Sequence, residues 1–144
     1  MGQTPTKLEK TLYTAKASAT AGRDGRIKSD DGILDMAVTP PKVLGGSGTG
    51  TNPEQLFAAG YAACFGSALG VVARMKKITT GPVKMTANVS LGQVGQGYGL
   101  AVEMTAEIPE LPRDQAQALL DAAHQVCPYS NATRGNIEVS IRLA

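Results

Sequence analysis

The stretch NPEQLFAAGYAACFGSALGVVARMKK, residues 52–77, decides the fold because it predicts one long helix that is apolar on every side. Asn52 is a favoured helix cap, Pro53 suits the first helical position, and Glu54 suits the positive end of the helix dipole. No charged residue stands between positions 56 and 73. A helix of this kind must be covered all round, and one small sheet covers only one side of it. We therefore expect a second subunit to cover the other side.

The same apolar run reaches the length of a transmembrane helix, but its glycines, serine and tyrosine make it only weakly lipophilic, so we expect no membrane span. The formal net charge is +2, from 14 basic and 12 acidic residues, and the absence of any basic block argues against a nucleic-acid partner. The length predicts a single domain over residues 1–144. Two cysteines are too few for a secreted disulfide framework, and no signal peptide is recognisable, so we expect a cytoplasmic protein.

The rest of the chain predicts a second helix and several strands. The pattern RDQAQALLDAAHQV, residues 113–126, is that of an amphipathic helix. Its predicted apolar side consists of Leu119, Leu120, Ala123 and Val126. The predicted strands cover residues 11–21, 26–41 with a hairpin turn at DDG, 83–94, 99–108 and 137–143.

Three kinds of site find little support in the residues. The loop GGSGTGT, residues 45–51, resembles a phosphate loop, but Thr51 stands where such a loop needs lysine, so we read it as a flexible loop. His124 and Cys127 together with Cys64 would give a metal only three soft ligands, so no metal is predicted. The single histidine and the lack of a G-x-S-x-G elbow argue against a serine hydrolase.

The two cysteines are the remaining chemical candidates. Cys64 lies inside the apolar helix, where a thiol is most often a small buried hydrophobe. Pro128 follows Cys127 and biases it away from the helical conformation, so Cys127 is predicted at a break, where its thiol can meet another thiol. From these residues alone, two interpretations remain open: packing cysteines or one redox pair.

Two longer motifs, each containing one of the cysteines, bear on this choice. TNPEQLFAAGYAACF, residues 51–65, and HQVCPYSNATRGNIEV, residues 124–139, resemble the organic hydroperoxide resistance (Ohr) branch of the Ohr/OsmC family. GRDGR and SDDGILDMAV also stand in their expected places, so the resemblance covers essentially the whole chain. Tyr61 before Cys64 favours the Ohr branch over the OsmC branch. The resemblance implies an α+β fold of the OsmC type, with curved antiparallel sheets packed on two long helices in an intertwined homodimer.

The resemblance also implies a chemistry. Cys64 corresponds to the peroxidatic cysteine, Cys127 to the resolving cysteine, Arg23 to the activating arginine and Glu54 to the carboxylate that holds this arginine. The expected enzyme reduces alkyl, aryl or fatty-acid hydroperoxides through a Cys64 sulfenic acid and a Cys64–Cys127 disulfide. It needs no cofactor, and dihydrolipoyl groups of a lipoylated protein are its external reductant. The predicted substrate-binding residues are Phe57, Tyr61 and Tyr129.

Two other functions remain open from the sequence. One is an OsmC-like peroxidase of broader specificity, and the other is a non-catalytic thiol sensor or acyl-binding module that uses the same pocket.

The spacing within the long helix raises a geometric question. Glu54 and Cys64 are ten residues apart, which is about 15 Å along one straight helix, so a single Arg23 cannot easily contact both within one chain. Either the helix breaks between them, most naturally at Gly60, or the Arg23–Glu54 pair comes from the other subunit. We expect the second arrangement.

Overall fold

The computed structural model describes residues 4–144. Their contacts divide the chain into two compact units, Met1–Asn52 and Pro53–Ala144. The single domain predicted over residues 1–144 stays a prediction.

The first unit contains a three-stranded antiparallel sheet in the order β1-β2-β3. Its strands are β1 (Ala17–Thr20), β2 (Gly25–Ser29) and β3 (Asp35–Val38). The hairpin predicted at DDG is confirmed, with Gly32 at a φ of 77° in the turn between β2 and β3. Strand β1 is shorter than the predicted strand over residues 11–21, and its four residues pair with positions 26–29 of β2.

Two connections of the first unit bear on the predictions. The turn between β1 and β2 places Ala21 and Gly22 at φ values of 58° and 56°, and Arg23 follows them. After β3, a short 3-10 helix (Lys42–Leu44) precedes the glycine-rich loop, where the sequence predicted no regular element. Gly45 ends this turn at a φ of 90°, and its amide donates to the Lys42 carbonyl.

The second unit packs three helices on a three-stranded sheet of order β4-β5-β6. Its elements are α1 (Pro53–Met75), β4 (Lys84–Val94), β5 (Gly97–Glu107), α2 (Arg113–Val126), α3 (Pro128–Thr133) and β6 (Val139–Leu143). The predicted hairpin is confirmed as the antiparallel pair of β4 and β5. Strand β6 pairs parallel to β5, so this sheet is mixed rather than wholly antiparallel. The chain returns through α2 and α3 to the side where β5 began, and such a crossover makes the next strand parallel.

The core of the second unit lies between α1, the sheet and α2. Helix α1 buries one face, and its buried residues are Tyr61, Phe65, Ala68, Leu69, Val72 and Ala73. On α2, the predicted burial of Leu119, Leu120 and Ala123 is confirmed. The prediction for Val126 is wrong, since its side chain is 54% exposed. Cys127 lies four residues after Ala123 and has no exposed surface, so it fills the position on the core side that Val126 was expected to fill.

The opposite face of α1 is not covered within the described residues. Exposed side chains recur there every fourth residue, at Gln55, Ala59, Ala63, Ser67 and Val71. By length and composition α1 could also cross a membrane, and a third of its apolar window is buried. A helix that is apolar on every side needs a partner to cover the face that its own fold leaves open. The predicted second subunit stays a prediction.

Candidate active site

The structure brings the two cysteines together. Cys64 lies on α1 beside the buried Phe65 and is partly exposed, whereas Cys127 is fully buried. Both are free thiols, and their Sγ atoms are 3.8 Å apart. Cys127 has extended backbone angles (φ −66°, ψ 123°) and ends α2 while it begins α3, which confirms the predicted break at Pro128. Two thiols at this distance can form one redox pair.

The first turn of α3 supplies a backbone donor to each sulfur. The Ser130 amide donates to Cys127 Sγ at 3.5 Å, so the cysteine side chain caps this short helix. The Tyr129 amide donates to Cys64 Sγ. An amide that points at sulfur stabilises negative charge on it, which is the charge a reacting thiol acquires.

The surroundings of Cys64 nevertheless oppose ionisation. Burial raises the pKa of the Cys64 thiol above its ordinary value of 9.0, and the neighbouring Cys127 raises it further. The Tyr129 amide acts in the opposite direction but does not outweigh these effects. Because the thiolate is the nucleophilic form of cysteine, reaction at neutral pH needs a further source of positive charge near Cys64. The family resemblance implies this role for Arg23, which stays a prediction.

The structure decides one of the two alternatives for the separation of Glu54 from Cys64. Glu54 lies in the first turn of α1, and this helix continues without interruption from Pro53 to Met75. The break at Gly60, the alternative that we did not expect, is therefore excluded. Ten residues of unbroken helix correspond to a rise of about 15 Å between Glu54 and Cys64. The other alternative, an Arg23–Glu54 pair supplied by a partner subunit, stays a prediction.

Gly60 has a different role. A Cβ atom at this position would lie 2.6 Å from the Tyr129 hydroxyl oxygen, so the missing side chain makes room for the tyrosine ring against α1. The same ring belongs to an aromatic group with Phe57 and Tyr61, whose ring centroids lie 5.6–6.3 Å apart. Phe57 and Tyr129 are partly exposed, whereas Tyr61 has no exposed surface. Phe57 and Tyr129 can therefore offer ring surface to a ligand, and the substrate-binding role of all three stays a prediction.

Buried polar groups behind the cysteines were not expected from the sequence. The Tyr61 hydroxyl lies 2.8 Å from Ser130 Oγ and 3.2 Å from Thr133 Oγ1. His124 Nδ1 lies 2.8 Å from the same Ser130 oxygen, and Arg134 Nη2 donates to the His124 carbonyl at 2.5 Å. The signal was present in the motif PYSNATRGN, where hydroxyl residues follow the break at one helical turn and the next. A single sequence does not tell whether such residues cap a helix or join a buried network.

His124 is held in its neutral form by this environment. Burial lowers the pKa of the imidazole below its ordinary value of 6.5, the positive charge of Arg134 lowers it further, and Asp121 acts in the opposite direction. His124 is therefore neutral at neutral pH. Within residues 4–144, no group of three or more histidine, cysteine, aspartate or glutamate side chains is placed to hold a metal ion.

Comparison with known proteins gives consistent matches. The family model described as OsmC-like protein matches residues 46–142. The organic hydroperoxide resistance protein of Xanthomonas axonopodis pv. citri (strain 306) is 53% identical over 138 residues, which are 94% of this chain and 97% of the relative. The organic hydroperoxide resistance protein OhrB of Bacillus subtilis (strain 168) is 47% identical, over 92% of this chain and 98% of the relative. The crystal structure of OhrB superposes with a TM-score of 0.85 at 46% identity, over 93% of this chain and 100% of that one.

Proposed function

Because the chain belongs to the OsmC-like protein family and its curated relatives are organic hydroperoxide resistance proteins, we propose that it is a thiol peroxidase that reduces organic hydroperoxides to alcohols at Cys64. The observation that carries the proposal is the 3.8 Å separation of two free thiols, one partly exposed and one buried. An acyl-binding module would not need a second thiol within reach of the first, whereas a thiol sensor can use such a pair and is separated from the enzyme by sustained turnover.

The proposed reaction has two steps. The Cys64 thiolate attacks one peroxide oxygen, the O–O bond breaks, and the alkoxide leaves and takes up a proton to become the alcohol. Cys64 is then a sulfenic acid. Cys127 Sγ next attacks the sulfenic sulfur, the S–O bond breaks, and the departing hydroxide combines with the Cys127 proton as water. A disulfide bond is about 2.05 Å long, so the two sulfur atoms need to approach by less than about 2 Å.

Arg23 and Glu54 complete the proposed machinery. A guanidinium beside Cys64 would offset the effect of burial on the thiol and stabilise the departing alkoxide. A partly buried arginine is itself stabilised by a carboxylate, and Glu54 is the proposed partner. We assign both residues to the subunit opposite Cys64, because α1 separates Glu54 from Cys64 by ten unbroken helical residues.

The opposite-subunit arrangement can be tested by mixing two inactive chains. In a dimer of a Cys64→Ser chain and an Arg23→Ala chain, one site combines an intact Cys64 with the intact Arg23 of its partner. We expect such mixed dimers to regain activity at one of their two sites. The measurement is turnover of cumene hydroperoxide, after native mass spectrometry confirms that mixed dimers have formed. Confirmed mixed dimers without activity would show that each site is built within one chain.

The dimer itself is part of this proposal. Within the described chain, the open face of α1 is accompanied by large apolar side chains that are exposed in the first unit. They include Leu8, Leu12, Tyr13, Ile33, Val43 and Leu44. Exposed apolar surface of this extent is unusual for a protein that stays monomeric.

The aromatic group beside Cys64 supports a preference for apolar substrates. Phe57 lies about two helical turns before Cys64 on α1, and its partly exposed ring packs against that of Tyr129, whose amide donates to Cys64 Sγ. Each methylene group of a substrate buried against these rings is worth about 0.8 kcal/mol. Hydrogen peroxide has no such group. The ratio of turnover with cumene hydroperoxide to turnover with hydrogen peroxide therefore separates this function from an OsmC-like peroxidase of broader specificity.

The proposed reductant is a dihydrolipoyl group carried by a lipoylated protein in the cytoplasm. A dithiol on a long, flexible, apolar arm suits a disulfide that lies beside aromatic rings. We expect sustained turnover of cumene hydroperoxide with dihydrolipoamide to exceed by about tenfold or more the turnover with thioredoxin or glutathione. Equal or faster turnover with thioredoxin would contradict the choice of reductant alone. The lack of turnover with all three would contradict the enzyme and favour the thiol sensor.

A further inference from the structure

Ser130 joins three helices and one of the reacting sulfur atoms. Its side chain is fully buried on α3, and its hydroxyl contacts the Tyr61 hydroxyl on α1 and the His124 imidazole on α2, each at 2.8 Å. Its backbone amide donates to Cys127 Sγ. The hydroxyl therefore fixes the position of α3 relative to both neighbouring helices, and the amide of the same residue is aimed at the sulfur.

The direction of the Ser130 amide matters most in the second step of the proposed reaction, in which the disulfide forms. Cys127 has no exposed surface, so water cannot solvate the negative charge that grows on its sulfur as the proton departs. The Ser130 amide is the one hydrogen-bond donor described at this sulfur. Because this bond is already 3.5 Å long, a displacement of α3 that lengthens it further would leave the sulfur without its donor.

His124 is the residue of α2 that contacts the Ser130 hydroxyl. Its carbonyl accepts from Arg134, and its ring is half-buried and lines a cavity of about 170 Å³ with Leu120, Asp121, Val139 and Ile141. The charged groups that face the ring are Arg134 and Asp121. A neutral imidazole can accept the Ser130 proton at Nδ1 while the Ser130 oxygen accepts the Tyr61 proton. Each of these three side chains then has a hydrogen-bond partner. The lowered pKa of His124 agrees with this assignment.

We propose that His124 is a positioning residue for disulfide formation, which acts through the Ser130 hydroxyl to hold the Ser130 amide against Cys127 Sγ. The proposal rests on the proposed function, since it concerns the step in which Cys127 Sγ displaces hydroxide from the Cys64 sulfenic acid. His124 does not contact Cys64 in this scheme. The Tyr129 amide, which donates to Cys64 Sγ, belongs to the same helix as Ser130, so loss of the His124 hydrogen bond should slow the second step by a much larger factor than the first.

The test compares two replacements of His124, one that keeps the volume of the ring and one that keeps the hydrogen bond. His124→Phe fills the ring volume but cannot bond Ser130, whereas His124→Asn places an amide where Nδ1 lies and can restore the bond. Gln125→Ala is the matched control, since Gln125 is the exposed next residue of α2. Each protein is mixed with one equivalent of cumene hydroperoxide without reductant. Dimedone trapping with mass spectrometry follows the sulfenic acid, and alkylation of remaining thiols follows the disulfide.

We expect His124→Phe to slow disulfide formation by about tenfold, the effect of one lost buried hydrogen bond, and to form sulfenic acid at a rate within about twofold of wild type. His124→Asn should recover most of the lost rate, and Gln125→Ala should match wild type. A wild-type rate in His124→Phe, or an Asn variant as slow as the Phe variant, would overturn the proposal.

Two further outcomes are covered by the same experiment. If His124→Phe does not fold, Ser130→Ala removes the same hydrogen bond from the other side, and its disulfide formation should be slowed to a similar extent. A Ser130→Ala variant that forms the disulfide as fast as wild type overturns the proposal. Failure of the wild-type protein to form either the sulfenic acid or the disulfide would instead contradict the proposed function.

Discussion

Cys64→Ser should abolish the reduction of organic hydroperoxides and lower kcat/KM by about 10³-fold or more. A serine hydroxyl is not ionised near neutral pH, and oxygen is a far weaker nucleophile toward a peroxide bond than a thiolate. The replacement is nearly isosteric, and the Tyr129 amide that meets Cys64 Sγ can also donate to the serine oxygen. The loss is therefore chemical rather than structural. The measurement is steady-state turnover of cumene hydroperoxide with dihydrolipoamide.

The matched control for this variant is Ala118→Ser. It introduces the same hydroxyl at an exposed position of α2 and leaves Cys64 in place. We expect this control to keep at least half of the wild-type activity, as surface substitutions usually do. A kcat/KM for Cys64→Ser within about tenfold of the wild-type value would remove Cys64 from the role of peroxidatic residue.

Cys127→Ser should preserve one rapid turnover and abolish the formation of the disulfide. The first step needs only Cys64, so one equivalent of hydroperoxide should be reduced at close to the wild-type rate. Cys64 should then remain a sulfenic acid that dimedone traps, because the side chain 3.8 Å away is no longer a thiol. The measurement is the amplitude of alcohol formation without reductant, followed by mass spectrometry of the trapped protein.

Serine is the right replacement at this position because Cys127 also caps α3. Its Sγ accepts the Ser130 amide, and a serine oxygen is one of the best acceptors for a helix cap. Cys127→Ala removes both the thiol and the cap, so it should be less stable than Cys127→Ser by about 1 kcal/mol. Loss of the first turnover in the serine variant, to the same degree as in Cys64→Ser, would rule out this division of roles between the cysteines.

Periodic patterns in the sequence were sufficient for the local elements. The amphipathic period predicted α2 over residues 113–126 as observed, and the caps and charges of residues 52–77 predicted α1 to within two residues at either end. The proline after Cys127 predicted the break between α2 and α3. Each of these features depends on residues close together in the chain, which a single sequence displays directly.

The features that were missed depend on residues far apart in the chain. Strand β6 pairs parallel to β5 only because α2 and α3 intervene, and Val126 is exposed because Cys127 takes the core position beside it. The polar network needs Tyr61 and Ser130, which are 69 positions apart, to come within 2.8 Å of each other. Single-sequence patterns do not contain such distances, and for the same reason the close approach of Tyr129 to Gly60 was not visible.

The unequal exposure of the two cysteines determines which sulfur an incoming thiol can attack after oxidation. Exchange proceeds by a direct attack on one sulfur, and the other sulfur departs as the leaving group. Cys127 has no exposed surface and Cys64 has some, so a reductant from solvent reaches Cys64 first. The leaving group is then Cys127, whose departing negative charge is met by the Ser130 amide. The protein would thus pass through a mixed disulfide on Cys64 with Cys127 already restored, and the unequal burial of the two cysteines together with the Ser130 amide sets the order in which the two thiols are released.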